Sequence, residues 1–168
     1  DERTMLVLHH LDGRPLAEHP HALERVARII AIDAAGMPMK IDAAVFMPTD
    51  REGMAKTMFK VTGPNEPTIP GFILDDIRDS LLAGATPRVW KALRDGGPLD
   101  KELPRLIVLT DVIWGDQDGL IPVGMGREMA KIIPGATYAE IPGCGHSPQA
   151  TCSEALNPIL SRILSKTK

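Results

Sequence analysis

Residues 114–122 read Trp-Gly-Asp-Gln-Asp-Gly-Leu-Ile-Pro, or WGDQDGLIP. They follow directly on Leu106 to Trp114, an apolar run that suits a strand buried on both faces. Glycines, acids and a closing proline then break the run and read as a loop. In open α/β sheets, functional groups collect in the crevice at the carboxyl ends of the strands. Asp118 lies in a loop of that kind. A second stretch, Ile141-Pro-Gly-Cys-Gly-His146-Ser-Pro148, repeats the arrangement after the strand expected over Thr137 to Ile141. Its two glycines allow a tight turn that ends on a histidine. A histidine beside a carboxylate from an adjacent strand end is a general-base arrangement. The carboxylate fixes the tautomer and stabilises the imidazolium formed during reaction.

Outward from these loops the chain alternates between strands and helices, the mark of a parallel α/β sheet. Strands are expected at Met5 to His9 and at Ala27 to Asp33, an apolar run that ends in an acid. A short helix is expected at Ala17 to Val26, interrupted near Pro20. Ala34 to Met39 reads as loop. Helices are expected at Pro122 to Ile133, with Met125, Met129, Ala130 and Ile133 on one side, and at Ser153 to Leu164. The middle of the chain is different. Asp50 is a plausible N-cap for a helix to Val61, and Pro70 starts a second helix that reaches about Gly84. Thr86-Pro87 opens a third by cap plus N1 proline, ending near Gly96-Gly97. Residues 50–97 thus form a helical insertion rich in Met and Leu.

The bulk properties set limits. A chain of 168 residues is long enough for one domain with a real core. Net charge is −3 and the 19 Lys and Arg residues are scattered, so no basic patch points to nucleic acid. Aromatics make up 4%, too few for base-stacking platforms. No apolar run approaches the roughly 20 residues needed to span a bilayer. Cys144 and Cys152 are too few for a disulfide scaffold. Free thiols are the expectation, as is usual in the cytoplasm, the compartment slightly favoured. A bridge between them stays open.

WGDQDGLIP, followed 28 residues after Asp118 by the histidine of GCGHSPQ, resembles the acid and histidine motifs of the α/β-hydrolase superfamily. HPHALERVARIIAIDAAG resembles the helix and strand that follow the nucleophile elbow in that superfamily. The stretch from IDAAGMPM to FILDDI most resembles bacterial lipases and carboxylesterases. The resemblance covers about residues 18–168. It implies the C-terminal part of an α/β-hydrolase sheet, with a partial core at 1–39 and 98–168 and a helical cap at 40–97. It also implies hydrolysis of a carboxylic ester by a Ser-His-Asp mechanism, with Asp118 as acid and His146 as base. Met54, Met58, Phe59 and Phe72 of the cap are candidates to line the acyl pocket. A small-molecule or lipid ester is the implied substrate, and no cofactor is required.

The nucleophile is the departure. The elbow, G-x-S-x-G, is expected inside residues 5–14, which contain neither serine nor cysteine. The segment resembles an elbow whose nucleophile is missing, and the strand and loop that supply the other oxyanion donor are expected upstream of Asp1. Loss of central strands would also expose a sheet edge, so a complementary chain or a second copy is an expected partner. Two other classes stay open: a C–C bond hydrolase or dehalogenase of the same fold, and a non-catalytic binding domain derived from a hydrolase.

Each candidate has a plainer reading. Asp118-Gly119 is also a common turn; its spacing to His146 favours the acid. Asp116 is the alternative acid, or a solvated loop carboxylate. His146 could simply bond a backbone carbonyl. Asp12 resembles the aspartate nucleophile of dehalogenases in type, but Gly13 makes a turn the better reading. Ser147 adjoins His146, but chain neighbours rarely present their side chains to each other, so a plain loop serine is the better reading than a nucleophile. Ser80 sits on a cap helix. His9, His10, His19 and His21 do not make a regular ligating face, since Pro20 interrupts it. Cys144, His146 and Cys152 as a zinc trio is weaker still. Asp111 is an oddity, a carboxylate inside an apolar strand, where it must be neutralised or find a partner.

Overall fold

The structure, a computed structural model, describes residues 4–10, 26–40, 42–64 and 68–166. Four strands form one parallel sheet in the order β1-β2-β3-β4: β1 Thr4–His10, β2 Val26–Ala35, β3 Leu109–Gly115 and β4 Thr137–Ile141. Both faces of β2 and β3 are covered, and successive side chains along them point to opposite sides of the sheet. Ile29 and Ala31 of β2, with Val112 and Trp114 of β3, point to one side. There they meet Met129 of helix α5 (Val123–Ile132). Ile30, Ile32 and Ile113 point to the other side, against Leu156 and Ile163 of α7 (Ser153–Ser165). Gly126 lets α5 lie close on the sheet, since a Cβ there would stand 2.3 Å from the Trp114 ring.

The insertion between β2 and β3 is helical. It comprises α1 (Ala43–Phe46), α2 (Arg51–Thr62), α3 (Gly71–Ala83) and α4 (Thr86–Gly96). Asp50 caps α2, its carboxylate accepting from Gly53 N–H at 2.7 Å. Arg51 and Asp75 tie α2 to α3 through an exposed ion pair, and Phe46 stacks on Trp90 with ring centroids 5.4 Å apart.

Several expected boundaries move. The run Leu106 to Trp114 pairs only from Leu109, opposite Arg28. Leu106 and Val108 pack into the core as irregular chain, and Ile107 is 92% exposed. A short 3-10 turn at Leu103–Arg105, with Pro104 inside it, precedes this part of the chain. Thr86 is the first residue of α4 rather than its cap, which falls on Ala85 without a side-chain bond. Pro70 and Pro122 occupy the cap positions of α3 and α5. The strand expected to end at Asp33 runs on to Ala35. Val26, read as the end of a short helix, opens β2; the rest of that helix, with Asp12, His19 and His21, lies outside the described residues.

Asp111 finds its partners. Arg28 grips it with two bonds, Nε at 2.5 Å and Nη2 at 3.1 Å, and Thr137 Oγ1 donates to it at 2.5 Å. Burial pushes its carboxyl up. The Arg28 and Thr137 hydrogen bonds and the Arg28 charge outweigh burial and hold it below its usual range.

Candidate active site

The loop after β3 is built to present Asp118. Its backbone is held on both sides: Asp116 N–H donates to Ile141 O at 3.2 Å, and Gln117 N–H to Cys144 O at 2.8 Å. Asp118 Oδ1 accepts from Leu120 N–H and Ile121 N–H, both at 2.8 Å. That fixes the carboxylate and leaves Oδ2 for His146 Nδ1, at 2.8 Å. Both residues are buried, with Asp118 8% and His146 3% exposed. Asp116, the alternative acid, is used elsewhere: its Oδ1 accepts from Gly143 N–H at 2.7 Å and supports the turn that leads to the histidine.

The two loops meet without side chains between them. A Cβ on Gly115 would stand 2.3 Å from the Gly145 carbonyl oxygen. A Cβ on Gly145 would stand 2.5 Å from the Val61 carbonyl oxygen of α2. The end of α2 therefore rests on the histidine loop. It also bonds to the acid loop, where Gly119 N–H donates to Lys60 O at 3.1 Å and Lys60 Nζ donates to Gly119 O at 3.2 Å.

The histidine loop is closed by a disulfide between Cys144 and Cys152. This corrects the expectation of free thiols and removes both sulfurs as metal ligands. Eight residues of chain separate the pair. The turn through Gly143 and the short helix α6 (Pro148–Thr151) fold that segment back on itself. The support for a cytoplasmic setting goes with the thiols, because disulfides persist in oxidising compartments.

One residue of the site was read in the sequence only as the acid that ends an apolar run. Asp33, at the carboxyl end of β2, is fully buried. Its φ is +44°, a left-handed conformation that residues other than Gly, Asn and Asp rarely adopt. β2 pairs with β3 only as far as Ile32 opposite Ile113. Beyond that point the Asp33 side chain takes over, with Oδ1 accepting from Gly115 N–H at 2.9 Å. Oδ2 is buried without a hydrogen-bond partner. Oxygen atoms of Asp33 and Asp118 and a ring nitrogen of His146 lie within 4.8 Å of one another. Burial pushes the Asp33 carboxyl up to about 8; the Gly115 N–H lowers it and the Asp118 charge raises it. Two acids and a histidine could be read as a metal set. However, His146 Nδ1 and Asp118 Oδ2 already satisfy each other, and no feature of the three requires an ion.

The four cap candidates are dispersed. Met54 is fully buried, Met58 is half-buried, and Phe59 and Phe72 are 63% and 67% exposed. A groove of about 670 Å³ runs between α2 and the acid loop, walled by Lys56, Phe59, Pro64 and Gln117. Of the four, Phe59 alone lines it.

The fold is the α/β-hydrolase fold, over the part of it that this chain spans. A bacterial membrane phospholipase A superposes with a TM-score of 0.77 at 19% identity, covering 99% of this chain and 58% of its own. A meta-cleavage product hydrolase from Pseudomonas fluorescens IP01 gives 0.78 at 16% identity, covering 99% and 66%. An esterase from Thermogutta terrifontis gives 0.69 at 21% identity, covering 93% and 62%. The chain thus spans about three fifths of the length of these enzymes. No family model matches the sequence. Among the described residues no helix is long and apolar enough to cross a membrane.

Proposed function

We propose that this chain is the acid-and-histidine half of a serine-type hydrolase of carboxylic esters. The observation that carries this is the buried bond of 2.8 Å between His146 Nδ1 and Asp118 Oδ2, at the carboxyl ends of neighbouring strands. With Nδ1 on Asp118, the base in this reading is the other ring nitrogen, Nε2. It would take the proton of a serine hydroxyl supplied from outside the described residues, then deliver it to the leaving alcohol. Asp118 would orient the ring and offset the positive charge it gains. Residues 40–97 would act as a cap, with Phe59 and its groove closest to a role in holding an apolar acyl chain. Met54, Met58 and Phe72 would serve only after α2 or α3 shifts.

C–C bond hydrolysis is the second reading, favoured by the superposition on a meta-cleavage product hydrolase. It uses the same acid and base.

The test is intact-mass spectrometry before and after a serine-reactive fluorophosphonate, paired with hydrolysis of p-nitrophenyl esters of graded acyl length. One adduct is expected, on a peptide outside these 168 residues, together with turnover that falls roughly 10³-fold or more in His146→Ala. A chain of matching mass that neither reacts nor turns over would remove the serine mechanism and leave a binding domain.

A further inference from the structure

Asp33 has no place in the reaction just described, yet it is built into the same site. The geometry points to Asp33 as a third acid of this centre: a positioning residue whose Oδ2 carries a proton toward the Asp118–His146 pair and so withholds a second negative charge from it. This rests on the site proposed above but not on its chemistry.

Three observations carry the inference. The backbone adopts a φ of +44° in order to seat this side chain. The β1–β2 register slips at the same level, between Leu8 opposite Ala31 and His10 opposite Ala35. A left-handed non-glycine residue at a strand end, holding a buried polar side chain, is an outlier from which a functional role can be argued. Second, the two oxygens have different jobs. Oδ1 is an acceptor that holds Gly115 N–H and, through Gly115, the start of the acid loop. Oδ2 accepts nothing. A buried oxygen without a donor suits a hydroxyl and penalises a charge. Third, its neighbours in the cluster are another acid and a histidine: among the described His, Cys, Asp and Glu side chains, Asp118 and His146 bring an oxygen and a ring nitrogen within 4.8 Å. β1 brings His9 and His10 toward the same edge of the sheet by position. Arg28, the cation on the same strand, is committed to Asp111.

The consequence is a site with two charge states. With the Oδ2 proton in place, His146 faces one carboxylate. When the proton leaves to solvent at higher pH, the imidazole faces two.

The experiment is NMR of the whole chain from pH 4 to 10, following the Asp33 carboxyl carbon and the His146 ring C–H, in the wild type and in Asp33→Asn. The amide of that variant retains an acceptor for Gly115 N–H but cannot ionise. The Asp33 carbon is expected to titrate near 8, and His146 to show an inflection at the same pH that vanishes in Asp33→Asn. An Asp33 carbon that titrates at about 3.9, the ordinary aspartate value, overturns the proposal. So does a His146 inflection that persists in the variant. Should the variant fail to fold, the wild-type carboxyl titration decides alone. Neither readout needs turnover, so a failed esterase assay and a failed Asp33 titration are separate results.

Discussion

The sheet buries an aspartate cluster at each end, and the two are built on opposite plans. Toward the amino ends of β2, β3 and β4, Asp111 has both oxygens bonded, by Arg28 and Thr137, and its charge is matched. At the carboxyl ends, Asp33 and Asp118 share a neighbourhood with His146. One Asp33 oxygen there has no donor. The first plan is how a fold tolerates a buried acid. The second leaves an electrostatic cost in place, as catalytic sites commonly do. Perturbed groups at a strand's carboxyl end therefore mark the candidate site. The Arg28–Asp111 pair is equally buried but does not.

The contrast predicts opposite pH dependence for the two ends. The Asp33 value in the folded state, about 8, lies above that of an unfolded aspartate. Its favourable contribution is complete below about pH 3.9 and is lost as pH rises toward 8. Asp111 is held below its ordinary value, so its contribution is present above about pH 3.9 and is lost as pH falls further. Denaturation curves at each pH from 4 to 8 are expected to show wild-type stability declining by up to about 1.4 kcal/mol per pH unit. Asp33→Asn should flatten that decline. Parallel curves for the two proteins would remove the distinction between the two ends.

Arg28→Ala probes the matched end. It strands the Asp111 carboxylate in the interior, a change that typically costs about 3–5 kcal/mol. For a chain of this size the melting temperature should fall by on the order of 10 °C at pH 7. The same truncation at Asp33 removes an unmatched acid and should cost far less. A shift of less than about 2 °C in Arg28→Ala would mean that water reaches Asp111 and the pair is not a closed one.

What was legible in the sequence follows the same division. The strands β2, β3 and β4, the three longer helices of the insertion and the Asp118–His146 spacing could be read because each rests on local pattern: an apolar run, a cap or a loop after a strand. Asp111 could be recognised as a problem but not solved. Its partner Arg28 is 83 residues away, and only the parallel register brings the two together. Asp33 carried a signal, an acid closing an apolar run just as Asp118 follows one. What the sequence could not show was the kink that turns its side chain onto Gly115. The Cys144–Cys152 bridge was missed because eight residues of separation are compatible with either state. The turn at Gly143 and the helix at Pro148–Thr151 decide between them.

That bridge offers the most local of the expected effects. It closes a short loop around His146, at the site end of the sheet only. Loop-closure entropy for a ring of this length is worth about 2–3 kcal/mol. Cys152→Ala should therefore lower the melting temperature by roughly 4–12 °C. The two ends should respond differently. Amide exchange should quicken over residues 143–152, where the loop regains its freedom. It should not change at Thr110 or Val112, in the register beside Arg28 and Asp111. Equal quickening at both places would mean that the sheet opens as one unit. The separation between a rigid, charge-matched end and a clamped, charge-strained one would then be a property of the static structure alone.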